Sequence, residues 1–353
     1  MEKGSCGWLY PQEPFFYWAI TCEGFLSLKG WLMKAVIVAE IGSFTIGDID
    51  IPVPATDNVL VQVNVTGLCR TDLKIIRAGH RDLVLPRVPG EEVVGTICKL
   101  GDGVAEYSIG QRVYVYPGTS CGICGSCRRG AENLCKDMRI MGFHRDGGFA
   151  KYVLAPAKSL IQLPDTLTDE EAVFAEPLSC CLNALELADI KPDETIGIWG
   201  GGPAGTLLSR AARTLEGVPF VIEPDERRRA FLNAYLTPPE MLFDVCIVAV
   251  GSDWAYHQAI SHLNKRGRLV VFSGLAPDRA GIKVDVNQLH YYEQTIVGAY
   301  GCAYRHGERA LEYIETGKIA VHDMVSHRMP LADLERALNL VEKRECMKIL
   351  LYP

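Results

Sequence analysis

Between residues 33 and 164 the chain alternates short apolar runs with Gly, Pro and Asp breaks, and 34–39, 58–66, 93–100 and 111–116 are predicted as strands. From about residue 165 to 297 the rhythm changes to strand, helix, strand. Thr195–Trp199 is the first predicted strand there, and Leu207, Leu208, Ala211, Ala212 and Leu215 form one apolar stripe on the helix that follows. Residues 220–223, 244–250 and 268–273 read as further strands, and their alternation with helices implies a parallel sheet with crossover connections. After Gly298, residues 305–317 and 331–343 are predicted helices and 348–351 a closing strand. The expected fold class is α/β: a β-rich domain over 33–164 completed by 298–353, and a parallel-sheet domain over 165–297.

One stretch is too short for the usual repeat. Twenty residues separate Glu223 from Asp244, enough for a helix over 226–236 that Thr237-Pro238-Pro239 then breaks. The expected sheet is therefore trimmed, with the strand beside the second one missing or shortened.

Composition narrows the function. The 353 residues suit two domains, and a net charge of −7 gives no basic surface for nucleic acid or anionic lipid. No run approaches a transmembrane helix in length, and thirteen cysteines fit a reducing cytoplasm better than secretion. Residues 1–32 stand apart: they hold Trp8, Tyr10, Phe15, Phe16, Tyr17, Trp18, Phe25 and Trp31 among prolines and glycines. The expectation is a disordered extension or a mis-assigned start, with an aromatic docking segment as the alternative.

Four cysteines, Cys121, Cys124, Cys127 and Cys135, fall within fifteen residues in a glycine-bearing loop. Tetrahedral Zn²⁺ takes four thiolates at about 2.3 Å, and four leave no open position, so the site is expected to be structural. A disulfide or iron–sulfur cluster is the alternative; disulfides are disfavoured without secretory features. Further on, Gly200-Gly201-Gly202-Pro203-Ala204-Gly205 holds Gly-x-Gly-x-x-Gly between a predicted strand and a predicted helix. Glycines there let a pyrophosphate approach the backbone and the helix N-terminus. Gly200, Gly202, Pro203, Ala204 and Gly205 are the expected cofactor turn. Glu223, eighteen positions after Gly205, is placed to accept from ribose hydroxyls and to repel a 2′-phosphate, which favours NAD. Arg227-Arg228-Arg229 is the opposing signal for NADP.

These segments, with Gly67-Leu68-Cys69-Arg70-Thr71-Asp72, Pro89-Gly90-Glu91-Glu92-Val93-Val94-Gly95, Gly147-Gly148-Phe149-Ala150-Lys151-Tyr152 and Glu176-Pro177-Leu178, follow one order from residue 33 to the end. The chain thereby resembles the zinc-dependent medium-chain dehydrogenase/reductases, in particular the sorbitol- and threonine-dehydrogenase-like branch. The resemblance implies a GroES-like catalytic domain, a Rossmann NAD-binding domain and a homodimer or homotetramer. It implies a catalytic zinc near Cys69, Glu92 and Glu176, with Thr71 passing the alcohol proton outward. The family pattern Gly-His-Glu is here Gly90-Glu91-Glu92, so Glu91 stands where histidine is expected. One thiolate with two carboxylates would weaken the metal as a Lewis acid and relax the choice of ion. His80, on a glycine-flanked loop, is an alternative ligand, and His290, Tyr291, Tyr292 and Glu293 are expected to line the cleft. The implied activity is NAD-dependent oxidation of a secondary alcohol of a polyol, sugar or amino-alcohol, a small polar substrate. The alternatives are a metal-free quinone- or enone-type reductase and a non-catalytic NAD(H)-binding protein.

Overall fold

The computed structural model describes residues 30–276 and 280–353. The expectation for the aromatic N-terminal segment falls almost wholly outside the described residues.

Two sheets organise the chain. The larger has seven strands, centred on Asn58–Leu68, eight of whose eleven residues are buried. Along one side it pairs antiparallel with Glu92–Leu100. Its other side is shared: Asn58 to Gln62 pair with Tyr152–Pro156, while Thr66 to Leu68 pair with the C-terminal strand Lys348–Tyr352. The last residues of the chain thus lie beside the turn that carries Cys69. The Arg70–Ala78 helix begins there, capped by Cys69 itself.

The smaller sheet is parallel throughout. Its five strands run in the order Val218–Ile222, Thr195–Trp199, Phe243–Val248, Leu263–Val271, Thr295–Gly298. The expected trimming is present. After the short Glu226–Leu232 helix the chain touches the sheet at one parallel bridge, Ile222 with Tyr235. Tyr235 donates to Val221 O at 2.8 Å and accepts from Glu223 N at 2.9 Å, so a single residue stands where a strand would. The strand Thr295–Gly298, in contrast, is not among the predicted ones. Its exposed, polar-flanked pattern carries no periodic signal, because it lies at the sheet's edge.

The Ala175–Ala188 helix joins the two sheets. One apolar cluster runs from Val65, Val94 and Tyr114 through Leu178, Cys181, Leu182 and Leu185 to Ile198, Leu207, Val245 and Ile247. Glu176, in the first turn of this helix, is thereby held at the seam. No described helix is long and apolar enough to cross a membrane.

Candidate active site

The cysteine lobe closes on itself. The sulfurs of Cys121, Cys124, Cys127 and Cys135 all lie within 4.8 Å of one another, and among the described residues no other group of three or more such donors does. The Cys127 and Lys136 backbone amides hold the Cys124 thiol at a pKa of about 6, which prepares a thiolate. Four soft donors at this separation fit a tetrahedral zinc with no free position. Asn133 Nδ2 donates to Tyr300 O and Arg305 Nη1 to Gly130 O, both at 2.6 Å. The lobe therefore braces the segment by which the chain leaves the parallel sheet.

Cys69, Glu91, Glu92 and Glu176 gather at the seam between the sheets. Asp72, which sequence reasoning passed over, arranges the first of them. Its Oδ2 accepts from Cys69 N at 2.9 Å, its own N donates to Cys69 Sγ at 3.4 Å, and its Oδ1 accepts from Gly90 N at 3.2 Å. This fully buried carboxylate ties the Cys69 turn to the residue preceding Glu91, and burial pushes its pKa up to about 6. Cys69 Sγ then lies 3.9 Å from Glu91 Oε1. Thr71 follows in the first turn of the Arg70–Ala78 helix, half-buried.

Glu92 faces differently. Both its oxygens accept from Lys348 Nζ at 2.6 Å, and neither residue is measurably open to solvent. A Cβ on Gly67 would sit 1.8 Å from Glu92 Oε2, so the strand must carry glycine opposite this carboxylate. Burial pulls the Lys348 ammonium down, but Glu92, Cys69 and Glu176 outweigh it and its pKa ends above the ordinary value. Lys348 bears no motif near the others in sequence; only its place in a closing strand could have suggested it.

Glu176 completes the cluster, its Oε1 3.6 Å from Cys180 Sγ one helical turn on. Burial, then the neighbouring Glu92, raises its pKa to about 8. Burial, then Glu176, drives Glu91 well above the carboxylate range. Two buried acids, Asp72 and Glu92, and two half-buried ones, Glu91 and Glu176, thus gather near one buried ammonium, an excess of negative charge that favours protonated carboxyls or a bound cation. Cys69 and Glu91, a soft donor and a hard one, are within chelating range of each other, but among the described residues no third donor joins them within 4.8 Å, so this arrangement supplies two ligands and not a complete site. Glu92 is engaged by Lys348 and is not free to ligate.

His80 does not reach this cluster. Its ring packs edge-on against Phe143 at 4.9 Å, and its Nδ1 accepts from Asp82 N at 3.2 Å. Burial lowers its pKa. The expectation for residues 290–293 is corrected. They end and follow the Val286–Tyr292 helix, all are exposed, and Glu293 pairs with Arg266 at 3.0 Å near the start of a parallel strand. That is the edge of the sheet opposite the carboxyl ends of its strands, where Glu223 and the glycine turn lie.

The glycine turn is built for close approach. A Cβ on Gly205 would lie 1.7 Å from Gly200 O, so the Pro203–Thr214 helix packs onto its strand only with glycine there. Glu223, 5% exposed, accepts from Gly201 N at 2.6 Å and Asp225 N at 2.9 Å. Each oxygen keeps a lone pair for a ribose hydroxyl, and these residues fit a dinucleotide. Arg229 points elsewhere, its Nη1 donating to Pro224 O at 2.5 Å, whereas Arg228 donates from Nη2 to Cys346 O at 3.1 Å and keeps its guanidinium beside the glycine turn, where a Cβ on Gly202 would lie 3.5 Å from Arg228 Nη1.

Residues 55–165 match the alcohol dehydrogenase GroES-like domain. The chain is 30% identical over 319 residues to the D-altritol 5-dehydrogenase of Agrobacterium fabrum, covering 86% of this chain and 94% of that protein. The chain belongs to the zinc-dependent medium-chain dehydrogenase/reductase family. Another relative in this family is the D-arabinitol dehydrogenase 1 of Uromyces fabae, 29% identical over 91% of this chain and 97% of its own length. Among solved structures, the cobalt- and zinc-bound thermostable alcohol dehydrogenase of Pyrobaculum aerophilum superposes with a TM-score of 0.84. It is 25% identical, over 92% of this chain and all of that one. In this chain Glu91 stands where the family pattern places histidine, and Glu92 is paired with Lys348.

Proposed function

We propose that the chain is an NAD-dependent oxidoreductase that removes a hydride from a secondary alcohol of a polyol and releases the ketone. The observation that carries this reading is the 3.9 Å approach of Cys69 Sγ to Glu91 Oε1, at a seam that also holds Glu176. Similarity to arabinitol and altritol dehydrogenases supports a polyol substrate.

In this reading Cys69 and Glu91 would be the first ligands of the catalytic zinc, Glu176, which does not form a three-donor group with them within 4.8 Å, would have to move in to complete the set, and Glu92, fixed by Lys348, would support it from outside. The zinc, when bound, polarises the alcohol oxygen and lowers its pKa. NAD held at the glycine turn would supply the hydride acceptor. The residues do the rest. Asp72 keeps Cys69 and Glu91 in register, and Thr71 takes the oxygen-bound proton toward solvent. Gly200, Gly202, Pro203, Ala204 and Gly205 receive the pyrophosphate, and Glu223 the ribose hydroxyls, where its charge repels a 2′-phosphate. Apolar seam residues exclude water from the reacting carbon.

The division into a catalytic domain (33–164 with 298–353) and a nucleotide domain (165–297) belongs to the same proposal, as does a cytoplasmic location. All eleven described cysteines are free, which suits a reducing compartment. A homodimer is proposed through the edge strand Thr295–Gly298, whose Ile296 is exposed beside exposed Tyr291 and Val286.

A second reading, a scaffold that binds NAD without turnover, draws on Lys348 holding both Glu92 oxygens. Metal content per chain, measured on protein purified without chelator, and NADH formation over a panel of pentitols and hexitols separate the two. Two metals with polyol-dependent NADH formation support the dehydrogenase. One metal with tight NADH binding and no turnover across the panel would sink it.

A further inference from the structure

The loop after the Arg70–Ala78 helix and the segment by which the chain leaves the parallel sheet meet at one polar contact. The Tyr300 hydroxyl donates to Asp82 Oδ2 at 3.1 Å. Arg81 Nε donates to the same oxygen at 3.3 Å, and its guanidinium lies over the Tyr300 ring, 5.2 Å from the centroid. His80 Nδ1 accepts from Asp82 N at 3.2 Å and stands 3.6 Å from Oδ2. Each of the side-chain contacts uses Oδ2. Among the described residues nothing donates to Asp82 Oδ1, on a side chain that is 28% exposed. A carboxylate accepts at both oxygens, so Oδ1 is a fixed and open acceptor for a hydroxyl.

The contact bridges two walls of the seam. On one side, Val84 N donates to Phe143 O at 3.0 Å, and the His80 ring packs on Phe143. A Cβ on neighbouring Gly142 would lie 3.3 Å from Gly90 N, so this loop is layered against the residue preceding Glu91. On the other side, Tyr300 stands two residues past Thr295–Gly298, at the same edge of the parallel sheet as the glycine turn. Two residues further, Cys302 Sγ lies 3.0 Å from Ser179 Oγ, which donates to Glu176 O at 2.7 Å. Asp82 and Tyr300 thus join the wall that leads to Glu91 to the wall that passes Glu176.

We propose that Asp82 is a specificity-determining residue: its Oδ1 accepts from a substrate hydroxyl remote from the carbon that is oxidised. Tyr300 and Arg81 are the positioning groups that hold the carboxylate in that direction. The inference rests on the alcohol-oxidation reading of the proposed function and narrows it to substrates with several hydroxyls. A polyol gains one charge-assisted bond at the bridge, whereas a monofunctional alcohol leaves Oδ1 to water. Asp82 is partly open to solvent, so water competes for it and the discrimination is about 10-fold, the lower end for a bond to a charged group.

The test sets xylitol, ribitol and D-arabinitol against 2-pentanol, which has the same carbon chain and one hydroxyl. NAD reduction is followed for wild type, Asp82→Ala, Asp82→Asn and Tyr300→Phe, all full-length and purified without chelator. The kcat/KM ratio of the fastest pentitol to 2-pentanol should fall about 10-fold in Asp82→Ala. The loss should lie in the pentitol KM and not in kcat, because a remote bond is made equally in the ground and transition states. Asp82→Asn, which keeps an oxygen acceptor, should recover part of the ratio. Tyr300→Phe frees the carboxylate and should fall between Asp82→Ala and wild type. Calorimetric titration of the same pentitol into protein saturated with NADH should give the same order without turnover. Equal NADH affinity across the four proteins shows that the nucleotide site is intact. If Asp82→Ala lowers kcat/KM for pentitol and 2-pentanol by the same factor, Asp82 only ties the loop to Tyr300; this inference then falls and the dehydrogenase reading stands. A ratio that stays at the wild-type value in every variant overturns it equally. If wild type reduces NAD with none of the four alcohols and its NADH complex binds no pentitol, the proposed function falls and the inference with it.

Discussion

Lys348 Nζ donates to both carboxylate oxygens of Glu92 at 2.6 Å, from the strand that ends the chain to the strand that follows Glu91. Lys348 Nζ lies 5.7 Å from the centre of the Phe174 ring, and both side chains of the pair are buried. A buried ion pair of this kind contributes little net stability over an apolar pair, but removing one partner strands the other charge. Lys348→Met should therefore cost about 3–5 kcal/mol in urea unfolding. Glu92→Gln combined with Lys348→Met should recover most of it. Equal losses for the single and double variants would show that the pair is not coupled.

Asp72 satisfies the backbone N–H groups of Cys69 and Gly90 from one buried carboxylate. Asp72→Ala leaves both donors without partners, each costing about 1–3 kcal/mol. Hydrogen exchange at those two amides should accelerate far more than at the centre of the Asn58–Leu68 strand. Uniform acceleration would mean that Asp72 supports the whole sheet and not this turn.

Glu223 is the acidic residue at the end of the second parallel strand. With Glu223→Ala, NAD affinity should fall about 10- to 100-fold through loss of charge-assisted bonds. NADP affinity should fall less, or rise, because the repulsion of a 2′-phosphate goes with it. Calorimetric titration with both nucleotides gives the ratio; an unchanged ratio would remove Glu223 from cofactor choice.

The cysteine lobe carries the bonds Asn133 to Tyr300 and Arg305 to Gly130. Cys135→Ser, or prolonged chelation, should open the 118–140 segment to protease while the parallel sheet stays protected. Activity should fall with the rate of lobe opening, because the segment carrying Cys302 loses its brace. Cleavage first within the parallel sheet would contradict this order.

Glu170 accepts from Arg328 at 2.7 and 2.6 Å and from Tyr352 at 2.5 Å. The Arg328 guanidinium holds its carboxyl below the usual value of 4.5, against the opposing pull of partial burial. A depressed folded pKa gives stability that is fully present above the unfolded value and is lost as pH falls through the folded one. Urea unfolding from about pH 6 to about pH 3 should show wild type losing more stability below about pH 4.5 than Glu170→Gln, which starts lower and falls less. Parallel curves would exclude Glu170 from the acid response.

Much of this arrangement was legible along the chain. The cysteine lobe was, because four ligands lie within one loop. The glycine turn was, because strand, turn and helix are consecutive. The trimmed sheet was, because twenty residues cannot hold helix, strand and helix, and the structure leaves one bridge at Tyr235. The edge strand Thr295–Gly298 was not, since an exposed edge needs no apolar period. Residues 290–293 were misplaced because a segment near the return to the first domain was assumed to face the cleft. The sheet instead runs that helix back to the opposite end of its strands.

The sequence by itself determined the two-domain α/β organisation, the four-cysteine lobe, the nucleotide turn with Glu223, and the loss of histidine at Glu91. Each is a local pattern whose chemistry depends on neighbours a few residues apart. Tertiary structure alone decided what surrounds Glu91. Lys348 reaches Glu92 across 256 positions, and Asp72 joins Cys69 to Gly90. Those contacts follow from which strands pair and which helix bridges the sheets, and burial at that seam turns ordinary acids, thiols and one lysine into a charged cluster.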